Sequence, residues 1–406
     1  MAGLDERFAP PPRFADAMDR LHELVAGEVG GDDFGPGDYR PGLKVLLQSM
    51  DYDPHFSARG RTIAWGRIVG ALSGRARAFR SMRENPGFLD TRIIRPIVIT
   101  GVPRTGTTAL HKLMALDPQF QGLQSWLVGA PAPRPARQTW EANPQFQKTV
   151  EQLRQRYDAA PDSRAAHLMV AEEVDECCLI LWQSFVSNLW TCGWSAATYD
   201  AWWQCQSEAP AYRYYRQCLQ MIGMNEPDKR WLLKNPGHIA NLDQLFGVFP
   251  DALVIQTHRD PANALPSLCA LLMHLHPVIE EGRERQRAHN MLARETAKWA
   301  KAVRDAEAVR RAHPGRVLDV VHGEFHRAPL TVVRRIYAFA GLELSPEVET
   351  SMLQRIEERP ELAHGAHRYD VADFGMTVEE IRERFGDYVD RYDLVPRNRA
   401  GAGALA

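Results

Sequence analysis

The pattern of apolar and polar positions along the chain predicts short buried strands that alternate with helices. Four short runs are rich in β-branched residues and leucine, at residues 97–100, 230–234, 252–257 and 317–321. Short, continuously apolar runs are typical of strands that are covered on both faces. After these runs the apolar positions change to helical spacing. Strands that alternate with helices indicate an α/β fold, whose parallel sheet carries functional sites at the carboxyl ends of its strands.

The first run is followed by a loop with two glycines, Gly101 and Gly106, and then by a helix. In such a loop, backbone N–H groups and the positive end of the helix can together bind an anion. The glycine spacing is that of a Walker A loop, but Thr107 stands where that loop has lysine. The positive charge is instead at Arg104, whose planar guanidinium suits a phosphate or a sulfate. The loop is therefore predicted to bind a nucleotide phosphate, with a plain glycine-rich turn as the alternative.

Residues 103–108 have the sequence Pro-Arg-Thr-Gly-Thr-Thr. This sequence resembles the 5′-phosphosulfate loop of sulfotransferases that use 3′-phosphoadenosine 5′-phosphosulfate (PAPS), and it matches the family's loop at each position. The resemblance implies that PAPS is the donor. It also implies which residues bind the donor's phosphosulfate: Arg104, Thr105, Gly106, Thr107 and Thr108.

A second pair of residues lies farther along the chain. Arg259 comes after the third predicted strand, and Ser267 lies eight residues later in the next helix. A strand-end arginine and a hydroxyl two helical turns later can both reach one phosphate. In sulfotransferases this pair of residue types, at this spacing, binds the 3′-phosphate of PAPS, so the resemblance gives that role to Arg259 and Ser267. A surface arginine beside Asp260 is the alternative.

The C-terminal part resembles the tail of bacterial aryl/glycolipid-type sulfotransferases. Arg368 and Tyr369 precede residues 373–376, Asp-Phe-Gly-Met, and a predicted helix. The resemblance implies that these two side chains close over the nucleotide, one by positive charge and the other by stacking. An ordinary surface turn is the alternative.

These predictions describe a single α/β domain with a P-loop-like central parallel sheet flanked by helices. It consists of a helical N-terminal extension (1–90), a nucleotide-binding core (91–345) with a helical insertion at about 144–224, and a C-terminal closing segment (346–406). The insertion is rich in tryptophan. Tryptophan suits a pocket for an apolar or aromatic acceptor, and packing between helices is the alternative explanation.

Composition and charge limit the classes of protein that the chain can belong to. The chain has 406 residues, 45% of them hydrophobic, and a net charge of −2, which does not indicate a nucleic-acid partner. Neither a signal peptide nor a membrane span is predicted. The six cysteines have neither a C-x-x-C pair nor metal-ligand spacing. A cytoplasmic location and no metal cofactor are expected, and the oligomeric state stays open between a monomer and a homodimer.

Transfer of a sulfuryl group requires positioning and charge neutralisation, as phosphoryl transfer does. Arg104 is expected to contact the leaving 5′-phosphate and the transferred group. Lys234, at the end of the second predicted strand, is a candidate second cation, and an ordinary strand-end lysine is the alternative. Because sulfate carries less charge than phosphate, such cations can replace magnesium.

The acceptor hydroxyl also needs a general base. Some related sulfotransferases have a Trp-Glu pair about twenty residues beyond the loop, but this chain has Trp126 and Leu127 there. His238 is ranked first because it follows a strand end. The other candidates are His167 and an acidic cluster that consists of Glu172, Glu173 and Glu176. Within the cluster, Glu172 and Glu176 are expected to share one helix face. Each of these residues can also be a capping acid or part of a solvated helix face.

The sequence therefore predicts an enzyme that moves a sulfuryl group from PAPS to a hydroxyl of a small, apolar or aromatic acceptor by metal-independent in-line transfer. Two alternatives stay open. One is a P-loop nucleotide kinase or NTPase, which needs the lysine that Thr107 replaces. The other is a catalytically inactive relative that still binds the nucleotide.

Overall fold

A parallel five-stranded sheet forms the centre of the protein. The computed structural model describes residues 9–159, 168–358 and 370–395. The spatial order of the strands is β2-β3-β1-β4-β5. Their bounds are β1 (Ile97–Gly101), β2 (Phe120–Gln121), β3 (Arg230–Lys234), β4 (Leu253–His258) and β5 (Val317–Val321). The predicted α/β class is confirmed, and four of the strands lie within about one residue of the predicted runs.

Helices cover both faces of the sheet and extend beyond it. They are α1 (Met18–Val29), α2 (Arg40–Tyr52), α3 (Ala58–Glu84), α4 (Thr107–Met114), α5 (Ser125–Gly129), α6 (Pro144–Ala159), α7 (Cys178–Leu181), α8 (Ala197–Trp203), α9 (Ala209–Ile222), α10 (Leu242–Val248), α11 (Pro261–Met273), α12 (His276–Ile279), α13 (Glu284–Ala312), α14 (His322–Arg327), α15 (Pro329–Ala340), α16 (Pro346–Glu358), α17 (Val378–Arg384) and α18 (Tyr388–Arg391).

The order of the strands fixes where the loop after β1 lies. β1 is central, with Ile97 paired to Leu232 of β3 on one side and to Leu253 of β4 on the other. All five residues of β1 are buried, which explains why its sequence is continuously apolar rather than alternating. Because all strands are parallel, the carboxyl ends of β1, β3 and β4 meet at one edge of the sheet.

Most of the buried residues of the N-terminal helices build a second hydrophobic core with the insertion, while Ala78 and Met82 at the end of α3 join the core that covers the sheet. Side chains of α1, α2 and α3 contact the aromatic residues of the insertion, among them Trp190, Trp194 and Tyr199. Trp182 stacks on Trp190 with ring centres 4.8 Å apart. Most of these rings therefore pack between helices, which was the alternative to a role in an acceptor pocket.

The acidic cluster of the insertion lies in irregular structure and not on a helix. The N–H of Asp175 donates to the carbonyl of Leu123 at 2.6 Å, and the N–H of Cys177 donates to that of Lys234 at 2.9 Å. These bonds to distant segments replace the i−4 bonds of a helix. The expectation that Glu172 and Glu176 share one helix face is therefore wrong.

One apolar stretch within the described ranges, Pro261–Ile279, has the length and composition of a membrane span. Its most apolar window is 56% buried inside the fold. Core helices of proteins without spans have the same composition, so this stretch is weak evidence for a membrane segment. It contains α11 and α12, and it contributes Ser267 to the edge of the sheet where the loop lies.

Candidate active site

The loop after β1 has a backbone that requires its two glycines. Gly101 has φ 149° and Gly106 has φ 90°. A Cβ at Gly101 would overlap the carbonyl oxygen of Thr257 in the neighbouring strand. Gly106 is the N-cap of α4, so the free N–H groups of the first helical turn face the loop. Arg104 also has a positive φ, 68°, which is uncommon for a residue with a Cβ.

The side chain of Thr105 holds the loop together from inside. Its hydroxyl donates to the carbonyl of Val102 at 2.7 Å and lies 2.5 Å from the hydroxyl of Thr257. Only 1% of Thr105 is exposed. The hydroxyl is thus occupied within the protein, which leaves the backbone N–H as the group of Thr105 that can reach a ligand.

The two sequence motifs meet at the loop. The Nη1 of Arg259 donates to the carbonyl of Arg104 at 2.9 Å, and the Nε of Arg104 donates to the Oγ of Ser267 at 3.3 Å. Ser267 lies in α11, which begins after Asp260. Two arginines and a hydroxyl are therefore gathered at the carboxyl ends of β1 and β4, a strongly positive place next to a helix N-terminus.

The residues on both sides of Arg259 are fixed by the C-terminal helices. Asp260 caps α11 and forms an ion pair with Arg382 of α17 at 2.5 Å. His258 bonds to the hydroxyl of Tyr388 at 3.0 Å and stacks on Tyr392 with ring centres 3.7 Å apart. Asp260 thus pairs with Arg382, while Arg259 bonds to the loop. The sequence did not indicate that the C-terminal helices fix the residues beside Arg259.

Lys234 lies at the end of β3 beside the loop. Its ammonium group donates to the Oγ1 of Thr108 at 3.1 Å and forms an ion pair with Oε1 of Glu176. The lysine is 1% exposed, whereas the side chain of Glu176 is 22% exposed. This arrangement places one cation and one carboxylate next to the first turn of α4.

Glu173 is held by two cations away from this ion pair. Its carboxylate contacts Nζ of Lys112 at 2.6 Å and Nη1 of Arg355 at 2.8 Å. Burial alone would raise the pKa of Glu173, but Lys112 and Arg355 outweigh it and lower the pKa. Glu172 is exposed. Glu173, held by two cations, therefore does not have the environment of a carboxylate that takes up a proton near neutral pH.

His238 is completely buried behind the end of β3, in the turn Pro236–Asn241. Its Nδ1 lies 2.7 Å from the hydroxyl of Tyr212, and its Nε2 has no hydrogen-bond partner in the described part of the chain. Burial lowers the pKa of His238 to about 3. The imidazole is therefore neutral at physiological pH and has no surface that an acceptor can reach directly.

Two histidines of α14 also lie at the loop, although they were not among the predicted site residues. His322 and His326 have their Nε2 atoms 2.9 Å apart. The Cδ2 of His322 lies 3.3 Å from where a Cβ at Gly106 would be. Burial, helped by the charges of His326 and Arg259, lowers the pKa of His322 to about 3. The sequence signal was weak, since it consists only of two histidines four residues apart that follow the fourth predicted strand.

Three predicted residues, His167, Arg368 and Tyr369, lie outside the described residues. In the ranges that are described, no group of three or more histidine, cysteine, aspartate or glutamate side chains is arranged to hold a metal ion.

The parallel sheet and the glycine loop that precedes α4 define a P-loop-like α/β protein. The chain belongs to the sulfotransferase family, because the model of that family matches residues 96–346. A comparison of the sequence with curated proteins found no match.

Two solved structures resemble the protein over nearly its whole length. Sulfotransferase STF1 from Mycobacterium tuberculosis H37Rv is 34% identical, with a TM-score of 0.82, and the match covers 92% of this chain and 99% of that one. Sulfotransferase STF9 from Mycobacterium avium is 26% identical, with a TM-score of 0.85, and the match covers 93% of this chain and 97% of that one. The family and the fold are thus established by independent comparisons.

Proposed function

We propose that the protein transfers a sulfuryl group from PAPS to a hydroxyl group of a small acceptor. The meeting of Arg104, Arg259 and Ser267 at one edge of the sheet supports this proposal most directly. PAPS has phosphate groups at two ends of one nucleotide. The glycine loop suits the phosphosulfate end, and Arg259 with Ser267 suits the 3′-phosphate.

The donor site combines backbone and side-chain groups. The N–H groups of residues 105–108 lie at the start of α4, where the helix dipole favours an anion. The hydroxyl groups of Thr107 and Thr108 are further donors. Arg368 and Tyr369 are proposed to cover the nucleotide, as the family resemblance implies.

The transfer step moves the sulfuryl group between two oxygens. The acceptor oxygen forms a bond to sulfur while the bond from sulfur to the 5′-phosphate oxygen breaks, which yields a sulfate ester and 3′,5′-ADP. Negative charge grows on the leaving phosphate oxygen. Arg104 and Lys234 are proposed to neutralise this charge, because both lie beside the start of α4.

Glu176 is the proposed general base that takes the proton of the acceptor hydroxyl. A base must come within hydrogen-bond distance of that hydroxyl. Glu176 contacts Lys234 at the loop and is partly exposed, whereas His238 is fully buried and Glu173 is neutralised by Lys112 and Arg355. This geometry favours Glu176 over His238, which the sequence ranked first, and over Glu173.

The six cysteines support a cytoplasmic location, which we also propose. All six lie in the described ranges and none forms a disulfide. Free thiols are typical of a reducing compartment.

A calorimetric titration with 3′,5′-ADP and with ATP, each with and without magnesium, tests the proposed donor. We expect 3′,5′-ADP to bind without metal. Binding of magnesium–ATP alone would instead support the kinase or NTPase alternative. Binding of 3′,5′-ADP without turnover of radiolabelled PAPS, across a panel of phenols and alcohols, would support the inactive relative.

A further inference from the structure

Glu176 lies in a segment without regular structure, residues 168–177, which we call the crossing segment. Backbone N–H groups of Asp175 and Cys177 attach its second half to the chain just beyond β2 and to the end of β3, at 2.6 and 2.9 Å. The crossing segment therefore passes the carboxyl ends of these two strands. Its first half is attached by side chains of the surrounding helices.

Lys112 of α4 makes two of these attachments. Its ammonium group donates to the carbonyl of Leu168 at 2.9 Å and contacts the carboxylate of Glu173 at 2.6 Å. The lysine side chain is only 6% exposed, so water screens its ion pair little. Arg355 of α16 contacts the other carboxylate oxygen, Oε1, at 2.8 Å. Glu173 is thus held between cations of two helices.

The same helix also supports the ion pair of Glu176. Thr108 and Lys112 are four residues apart in α4 and so lie on one face of it. The hydroxyl of Thr108 accepts a hydrogen bond from Lys234, and Lys234 pairs with Glu176. One face of α4 therefore supports the crossing segment at Glu173 directly and at Glu176 through Lys234.

We propose that Glu173 is a positioning residue, which acts with Lys112 to hold Glu176 against Lys234. The inference rests on the proposed sulfuryl transfer with Glu176 as the base. The two glutamates are three residues apart, so a shift of the chain at Glu173 also displaces Glu176. Displacement of a reacting group by about 1 Å can lower a rate about a hundredfold. Glu173 itself contacts neither the donor nor the acceptor in this proposal.

A double-mutant cycle with Glu173→Gln and Glu176→Gln tests the inference. Transfer from radiolabelled PAPS is measured with the member of a panel of phenols and alcohols that the wild-type protein sulfates fastest. We expect Glu173→Gln to lower kcat about tenfold to a hundredfold, with the KM for PAPS and the affinity for 3′,5′-ADP within about threefold of wild type. In the Glu176→Gln protein the same change should have no further effect on kcat, because the base that Glu173 positions is absent.

Hydrogen–deuterium exchange of the ligand-free protein provides a second measurement. Peptides from the crossing segment should exchange about tenfold faster in Glu173→Gln, while peptides from β1 and β4 should be unchanged. Glu349→Gln is the matched control, since Glu349 of α16 also pairs with an arginine, Arg334, and its side chain is 28% exposed against 27% for Glu173. The control should change neither kcat nor the exchange of the crossing segment.

A second variant separates positioning from stability. Glu173→Gln leaves the buried charge of Lys112 without its carboxylate, so the melting temperature is expected to fall. The combination Lys112→Met with Glu173→Gln removes that charge as well, so the melting temperature should recover towards the wild-type value while kcat stays low. A kcat that recovers together with the melting temperature would give this pair a role in stability alone.

Three other results would overturn the inference: an unchanged kcat in Glu173→Gln, additive losses in the cycle, or exchange that becomes equally faster in the strands. The proposed function fails in a different way, in the wild-type protein before any variant is compared. Binding of 3′,5′-ADP without transfer to any member of the panel would refute sulfuryl transfer, and the inference with it. Absence of 3′,5′-ADP binding would refute the donor site.

Discussion

Replacement of Arg259 by alanine tests the proposed donor site most directly. In the structure, the guanidinium makes one bond to the loop, from Nη1 to the carbonyl of Arg104 at 2.9 Å. Its other N–H groups can bind the 3′-phosphate. A hydrogen bond to a charged group contributes about 1.5–3 kcal/mol, so loss of one such bond weakens 3′,5′-ADP binding by about tenfold to 150-fold.

The second ligand in this test is 5′-AMP, which lacks the 3′-phosphate. Its affinity depends on Arg259 only through the bond to Arg104, a neutral acceptor, for which about 0.5–1.5 kcal/mol is expected. Arg259→Ala should therefore weaken 5′-AMP binding about twofold to tenfold. The ratio of the two affinities, measured by calorimetry, isolates the contribution of the 3′-phosphate from the support of the loop.

Two further variants make the result specific. Arg259→Lys keeps the charge but not the paired donors, so an intermediate loss is expected. Arg335→Ala, which removes an arginine that pairs with Glu324 at 2.8 Å, should change neither affinity. If Arg259→Ala weakened both nucleotides by the same factor, Arg259 would support the loop without binding the 3′-phosphate, and the assignment of the pair would be refuted.

Three other predictions concern the base, the support of Arg259 and pH. Glu176→Gln should lower kcat about a hundredfold to ten-thousandfold and leave 3′,5′-ADP affinity within about threefold, as single-turnover assays and calorimetry can show; an unchanged kcat would exclude Glu176 as the base. Arg382→Met removes the ion pair to Asp260, so 3′,5′-ADP should bind about fivefold more weakly, with recovery in Arg382→Lys. Burial and the charge of Lys234 lower the pKa of His111 from 6.5 to about 3. As the pH drops below 6.5, the unfolded chain therefore takes up a proton at His111 before the folded protein does. This residue should thus lower the free energy of unfolding by about 2 kcal/mol at pH 5. Urea unfolding between pH 5 and 8 should show that the free energy of unfolding depends less on pH in His111→Asn than in the wild-type protein. An equal dependence on pH would contradict the lowered pKa of His111.

The core of the fold could be predicted because its signals are local. The runs that form β1, β3, β4 and β5 are apolar over several consecutive residues, and helical spacing follows them. β2 could not be found in this way, since Phe120–Gln121 is too short to show any period. The spatial order of the strands is also absent from local patterns, because it is set by packing between segments far apart in sequence.

The acidic cluster shows where sequence periodicity fails. Glu172 and Glu176 are spaced as neighbours on a helix, but the backbone there bonds to Leu123 and to Lys234. Tertiary hydrogen bonds therefore override helical spacing. The same bonds bring Glu176 to Lys234, an ion pair between residues 58 positions apart that no sequence pattern indicates.

The two sides of the site differ in how they are encoded. The proposed donor side consists of one contiguous loop and a strand-end arginine with its serine, so its residues could be chosen from spacing. The side around Lys234 is assembled from the end of β3, the first turn of α4 and the irregular segment at 168–177. Nothing in the sequence positions of Lys234 and Glu176 indicates that they meet, because their ion pair forms only when these segments pack together. It follows that substitutions in the irregular segment can alter the proposed acceptor side without touching the donor motifs.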